Sequence, residues 1–200
     1  MSFLDLTHGR YIHKRRIERI SGHLAKLIPP HTTVLDVGCG DGWLSRRLME
    51  RRPDISISGI DVTARDGALI PVTAFDGSVI PLADQSVDVV VFVDVLHHTE
   101  DPEILLREAA RVSRHSIVLK DHLLEGFLAG RTLRFMDYVG NARHGVALPY
   151  NYWPRQRWLQ AFASLNLKIE VMHSRLGLYP FPANLAFGRG LHFVAKLTRQ

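Results

Sequence analysis

Cysteine is almost absent from this chain: Cys39 is the only one in 200 residues. An intrachain disulfide and a cysteine-ligated zinc centre are therefore excluded, and no metal site is expected. Cys39 falls inside a cluster of glycines, where a small buried filler fits. Long apolar runs are missing as well, and none approaches the ~20 residues that a membrane-spanning helix needs. The opening stretch MSFLDLTHGR has neither the apolar core nor the cleavage site of a secretory signal, so a cytoplasmic location is expected. Internal repeats, low-complexity tracts and linker-like segments are absent. A hydrophobic share of 46% is that of an ordinary globular protein, and residues 1–200 are expected to form a single domain.

Acidic residues are outnumbered, 20 against 25 Lys and Arg, which leaves a net charge of +5. Much of the excess sits in GRYIHKRRIERISGHLAK, residues 9–26. There Ile12, Ile17, Ile20, Leu24 and Leu27 recur at helical spacing, with Lys14, Arg15, Arg16 and Arg19 among them. Residues 1–30 are therefore expected to hold an amphipathic helix docked on the core, its basic face in solvent. The sharper alternative is peripheral contact of that face with an anionic membrane surface or with RNA.

From Thr33 a strand–helix rhythm begins. TVLDVG reads as a first strand and WLSRRLMERR as a helix; ISISGID and IPVTAF read as strands two and three. SVDVVVFVDVL is nearly continuously apolar, as a central parallel strand buried on both faces should be. DPEILLREAARVSR reads as a helix with Asp101 as cap and Pro102 in its first turn, and SIVLK as strand five. Residues 121–153 then become rich in aromatics, glycine and histidine, too long for a simple connector. A helix from Pro154 and two closing strands, KIEVMHSR and LHFVAKL, complete the chain. The alternation implies an α/β fold with a doubly wound, mostly parallel sheet. The last pair lacks a crossover helix, so the final strand should run antiparallel.

In such a sheet a ligand lies beyond the carboxyl ends of the strands. Those ends are acidic here: Asp36, Asp61 in GID, Asp76 in FDG and Asp94 in VDVLHH. A pyrophosphate would be repelled by that arrangement, whereas a sulfonium bearing an amino group and ribose hydroxyls would suit it. The glycines of LDVGCGDG complete a D-x-G-x-G-x-G pattern. With GID, FDG and SVDVVVFVDVLHHTEDP in order, residues 33–119 resemble the class I S-adenosylmethionine-dependent methyltransferases of small-molecule type. The resemblance implies a Rossmann-like fold of seven strands and S-adenosyl-L-methionine as cofactor. A nicotinamide-dependent oxidoreductase is the nearest rival. Its G-x-G-x-x-G spacing differs from that of Gly38, Gly40 and Gly42, although Asp61 would satisfy its ribose requirement. A catalytically silent cofactor-binding protein that docks on a membrane or partner is the third reading.

The resemblance assigns roles residue by residue. Gly38, Gly40 and Gly42 form the tight turn, and Asp36 and Asp94 support the methionine amino group. Asp61 takes the ribose hydroxyls, Asp76 with Gly77 the adenine edge, and Val62 and Leu96 pack near the adenine and methionine portions. Several acceptor classes lack their signatures. The N/D-P-P-Y/F element of amino-methylating nucleic-acid enzymes is replaced by Asp94-Val95-Leu96-His97. Cys39 is committed to the turn and unavailable for pyrimidine chemistry, and the paired-glutamate loop of arginine methylation is missing. A small or lipid-like acceptor, methylated on oxygen or nitrogen, is expected, with no specific nucleic acid as partner. His122, after strand five, is the first candidate base, with His97 and His144 as further candidates. Phe135, Tyr138, Tyr150, Tyr152 and Trp153 are expected to line the acceptor wall and lid over residues 121–153.

Overall fold

The computed structural model describes residues 3–63, 67–141 and 149–199. Helix α1 (Phe3–Leu27) precedes β1 (Thr33–Val37), α2 (Trp43–Arg51), β2 (Ser56–Asp61), β3 (Val72–Ala74) and β4 (Val87–Val93). A short 3-10 turn, Leu96–His98, leads to α3 (Pro102–Val112) and β5 (Ser113–His122). Then come α4 (Ala129–Asn141), α5 (Arg155–Ser164), β6 (Leu167–His173), α6 (Ala183–Phe187) and β7 (His192–Arg199). The seven strands form one sheet in the order β3-β2-β1-β4-β5-β7-β6. All neighbours from β3 to β5 are parallel, and β7 runs antiparallel to both β5 and β6. The architecture agrees with the alternation and with the expected antiparallel last strand.

Alternate residues of each strand serve two separate cores. Leu35, Val37, Val90, Phe92, Ile117, Leu119, Phe193 and Ala195 face α3 and α5, where Leu106, Trp158 and Phe162 are fully or almost fully buried. Val34, Val89, Val91, Val118 and Val194 face the other way, against Ile20 and Leu24 of α1 and Leu48 of α2. Helix α1 thus docks with its apolar stripe. The Arg52 guanidinium at the end of α2 fastens it by donating to the carbonyls of Ala25 and Ile28 at 2.7 and 2.9 Å. Asp101 caps α3, its side chain accepting from the Glu103 amide at 2.9 Å.

Two features differ from expectation. Strand β5 continues past Lys120 through Asp121 and His122, because β7 pairs with it as far as the His122–His192 register. His122 is therefore the last residue of a buried strand rather than part of a lid. The connector before β7 holds a short helix, α6.

Candidate active site

The parity that builds the two cores also builds the site. Counting in twos from Val34, Val118 and Val194, the residues Asp36, Lys120, His122 and His192 belong to the face covered by α1 and α2. These polar residues gather at the carboxyl ends of β1, β4 and β5. There a cavity of about 400 Å³ is lined by Arg16, Asp36, Gly38, Gly40, Trp43, Asp94, His98, His122 and Asp137, among others.

One wall of the cavity is the turn from β1 into α2. Gly38 and Gly42 adopt φ of 73° and 76°, in the left-handed region. A Cβ at Gly38 would come within 2.6 Å of Val95 Cγ2, and one at Gly42 within 2.6 Å of Ile70 Cγ1. Both positions therefore demand glycine twice over, by conformation and by space. Asp36 is buried at 3% exposure and accepts from the Ser45 hydroxyl of α2 at 2.5 Å. Burial, with the nearby Asp61 charge adding to it and the Ser45 bond only partly offsetting it, pushes its carboxyl up to about 7. Asp61 braces the turn from β2: its oxygens accept the Gly40 amide at 2.8 Å and the Thr63 amide at 2.9 Å.

The opposite wall is a buried polar cluster. Asp94 takes a left-handed φ of 58°, unusual outside glycine, and is held by cations on both sides. The Lys120 ammonium bonds its Oδ1, and Arg16 of α1 donates to its Oδ2 at 3.0 Å. Burial opposes ionisation of Asp94, but Lys120, Arg16 and His97 outweigh it and hold the carboxyl below its ordinary range. His97 is almost fully buried between two carboxylates, with Nδ1 2.7 Å from Asp121 Oδ1 and Nε2 3.4 Å from Asp137 Oδ2. Burial alone would lower its pKa; the Asp121 and Asp137 charges reverse that and push it up to about 10. Tyr152 donates its hydroxyl to Asp137. Three acidic side chains (Asp94, Asp121, Asp137) thus pack against three basic ones (Arg16, Lys120, His97). His122 stands at its cavity edge, driven well below its ordinary pKa by burial and then by the Lys120 and His97 charges. It is a neutral imidazole.

The cavity brings together Asp36, Gly38, Gly40, Asp94 and His122 of the expected residues. Asp61, Asp76, Gly77 and Val62 lie outside its lining. Asp76 accepts two amides and a hydroxyl within its own turn, from Ser78 and Val79, and Val62 is 64% exposed. Leu96 does not pack on a ligand: it is fully buried in the α3/α5 core, and its amide donates to Asp121 at 3.1 Å. His97 is also not a base facing an acceptor, because both ring nitrogens are turned to carboxylates and it is absent from the lining; His98 lines the cavity instead. Among the expected acceptor-wall residues, Phe135 and Tyr138 lie on the outer face of α4, 57% and 63% exposed. Trp153 packs in the core against Trp158, and the Tyr150 ring lies tilted beside that of Tyr152. His144 lies outside the described residues. Sequence reasoning missed Arg16, Lys120, Asp121, Asp137 and His192. Two signals were available: a Lys-Asp-His run ending an apolar strand, and the spacing of Leu133, Met136, Asp137 and Gly140, which puts Asp137 on the inward face of α4.

The sheet order, the glycine turn and the pocket at the strand ends define a class I methyltransferase fold. Residues 35–116 match the family model described as Methyltransferase domain. No curated protein matches the chain. Among solved structures, a Thermotoga maritima S-adenosylmethionine-dependent methyltransferase, described as a possible histamine N-methyltransferase, is 20% identical. It superposes with a TM-score of 0.67 over 97% of this chain and 95% of that one. A Haloferax volcanii structure containing the Trm112 methyltransferase activator gives a TM-score of 0.68 at 17% identity, over 90% of this chain and 88% of that one. Geranyl diphosphate methyltransferase, in complex with its diphosphate and sinefungin, gives 0.68 at 13% identity, over 92% and 78%. Likeness at these identities speaks for the fold.

Proposed function

We propose that the protein transfers a methyl group from S-adenosylmethionine to a hydroxyl or amine of a small, partly apolar acceptor. The observation that carries this reading is that one cavity is bounded by the glycine turn on one side and a neutral buried histidine on the other. The donor set suits the cofactor. Asp36 is a buried carboxyl with a hydroxyl but no cation as hydrogen-bond partner among the described residues, and Asp94 is a second acid across the same space. Asp94 is already held by Lys120 and Arg16, so Asp36, which ionises more readily beside a cation, is the acid that favours a ligand with an ammonium and a sulfonium. Asp61, braced through one lone pair of each oxygen, retains acceptor capacity for a diol.

When bound, the cofactor supplies a methyl carbon that the acceptor's lone pair attacks, as the carbon–sulfur bond breaks and its electron pair stays on sulfur. The chain's own residues supply the rest. His122 receives the proton that the hydroxyl or amine loses, and positive charge developing on its ring is met by Asp94 Oδ1 at 3.5 Å and Asp137 Oδ1 at 3.9 Å. His97, bonded to Asp121 through Nδ1, sets its ring 3.4 Å from Asp137 and draws that carboxylate toward the cavity wall. Arg16 closes the cavity from α1, and Trp43 with Met136 adds apolar lining that excludes water.

Calorimetric titration tests the cofactor. S-Adenosylmethionine and its demethylated product should bind, and Asp61→Ala should weaken binding by about 1.5–3 kcal/mol, the range for hydrogen bonds to charged groups. Tight binding of NADH with no heat from the methyl donor would refute the assignment. Incubation of metabolite extracts with methyl-labelled cofactor then identifies the acceptor. Label appearing only in RNA or protein would overturn the acceptor class.

A further inference from the structure

The two ring nitrogens of His122 are not equivalent, and a residue 70 positions away decides between them. His122 and His192 face each other directly across the β5–β7 pair, so their side chains are neighbours on the α1/α2 side of the sheet. His192 Nε2 lies 3.0 Å from the carbonyl oxygen of Phe187. A carbonyl only accepts, so that nitrogen carries a hydrogen. His192 is buried, and burial followed by the Lys120 and Arg16 charges keeps it neutral. Its other nitrogen, Nδ1, is therefore bare.

Two groups approach that bare nitrogen: Lys120 Nζ at 3.1 Å, which only donates, and His122 Nδ1 at 3.0 Å. A bare His122 Nδ1 would set lone pair against lone pair at hydrogen-bond distance. A hydrogen there turns the same contact into a bond that shares the single lone pair of His192 Nδ1 with the Lys120 ammonium. Protonation of Nε2 instead would be drawn by Asp94 and Asp137, but their oxygens stand 3.5 and 3.9 Å away, beyond good hydrogen-bond range. The shorter contact decides.

We propose that His192 locks His122 in the Nδ1–H form, so that a bare Nε2, flanked by the Asp94 and Asp137 carboxylates, faces the cavity and selects an acceptor that presents an O–H or N–H. Asp94 Oδ1, itself bonded by the Lys120 ammonium, and Asp137 Oδ1 stand 3.5 and 3.9 Å from that nitrogen. A hydroxyl or an uncharged amine donates to it, and a carboxylate or phosphate oxygen, which only accepts, gains no bond from it. His192 is thus a positioning residue that acts through His122, and Phe187 of α6 anchors it. The selection rests on the reading of His122 as the group facing the acceptor, whereas the form of the His122 ring does not depend on that reading.

Long-range proton–nitrogen correlation spectra of histidine-labelled protein decide the matter without a substrate. The native protein should show His122 protonated at Nδ1 and bare at Nε2. His192→Asn offers an amide oxygen near the position of Nδ1 and should keep that form, while His192→Phe should shift the hydrogen to Nε2. Calorimetry with the demethylated cofactor product should give unchanged affinity in His192→Asn, which reports that the fold is intact. Native protein with hydrogen on Nε2, or a His192→Phe spectrum like the native one, overturns the lock. For acceptor class, extracts treated with methyl-labelled cofactor should yield label that survives mild alkali, as in an ether or amine. Alkali-labile label, the mark of a methyl ester, overturns the selection. Spectra as expected with no labelled product at all would leave the lock standing and refute the proposed activity.

Discussion

Asp36 makes the stability of this protein depend on pH in a way that a single substitution should expose. Its carboxyl is buried and sits about three pH units above its ordinary 3.8. The folded chain keeps the Asp36 proton up to about pH 7, whereas the unfolded chain releases it near pH 4. The contribution to stability is therefore fully present below about pH 4 and is lost as pH rises through about 7. At about 1.4 kcal/mol per pH unit, the loss amounts to about 4 kcal/mol. Asp36→Asn preserves an oxygen for the Ser45 hydroxyl and cannot ionise. Relative to the native protein it should gain about 4 kcal/mol between pH 4 and pH 8, with the slope between those limits. Urea unfolding followed by tryptophan fluorescence, at about pH 4.5, 6 and 7.5 for both proteins, measures this gap and cancels the other titrating groups. A gap that stays constant across that range would refute the argument that burial governs Asp36. The same shift predicts that a cationic cofactor, which favours the ionised form, releases a proton on binding near pH 6. Calorimetry in buffers of different ionisation heat reads that proton.

Trp158 donates its indole N–H to the His122 carbonyl at 3.1 Å inside the α3/α5 core. Trp158→Phe should leave that carbonyl unpaired and cost about 1–3 kcal/mol by chemical denaturation, and an unchanged midpoint would show that the bond supports nothing. The basic helix α1 has Arg16 turned inward to Asp94 and Glu18 paired with Arg47 and Arg51 on α2, so its outward charge is smaller than its composition suggests. Vesicles rich in anionic lipid should not sediment the protein at physiological salt. Salt-sensitive sedimentation abolished by Lys14→Ser with Arg19→Ser would instead establish a membrane-binding face.

What was legible in the sequence is what is local. The glycine turn, the Asp101-Pro102 start of α3, the apolar run of β4 and the missing crossover before β7 each depend on a few adjacent residues. The glycine-turn side of the cavity follows from such signals, since Asp36, Gly38 and Gly40 lie within five positions of one another. The other side was hidden because its partners meet across long separations. Arg16 and Asp94 are 78 positions apart, and Lys120 and His192 are 72 apart. Only the docking of α1 and the register of β7 bring them together. Aromatic content pointed to an acceptor wall at Phe135 and Tyr138, but composition carries no facing. The helical repeat that turns Leu133 and Asp137 inward necessarily turns those rings outward. Leu96 looked like a ligand contact by its position after β4, yet the 3-10 turn swings it into the core.

Strand β7 is threaded between β5 and β6, and it follows both in sequence. During synthesis, the turn from β1 to α2 and its brace from β2 emerge well before β7. His122 acquires its partner His192 only when β7 has inserted beside it. Under the proposed function, a nascent chain that lacks β7 holds the glycine turn without the residue that orients His122. The order of residues along the polypeptide places assembly of the β5–β7 wall of the cavity after assembly of the β1–β2 wall.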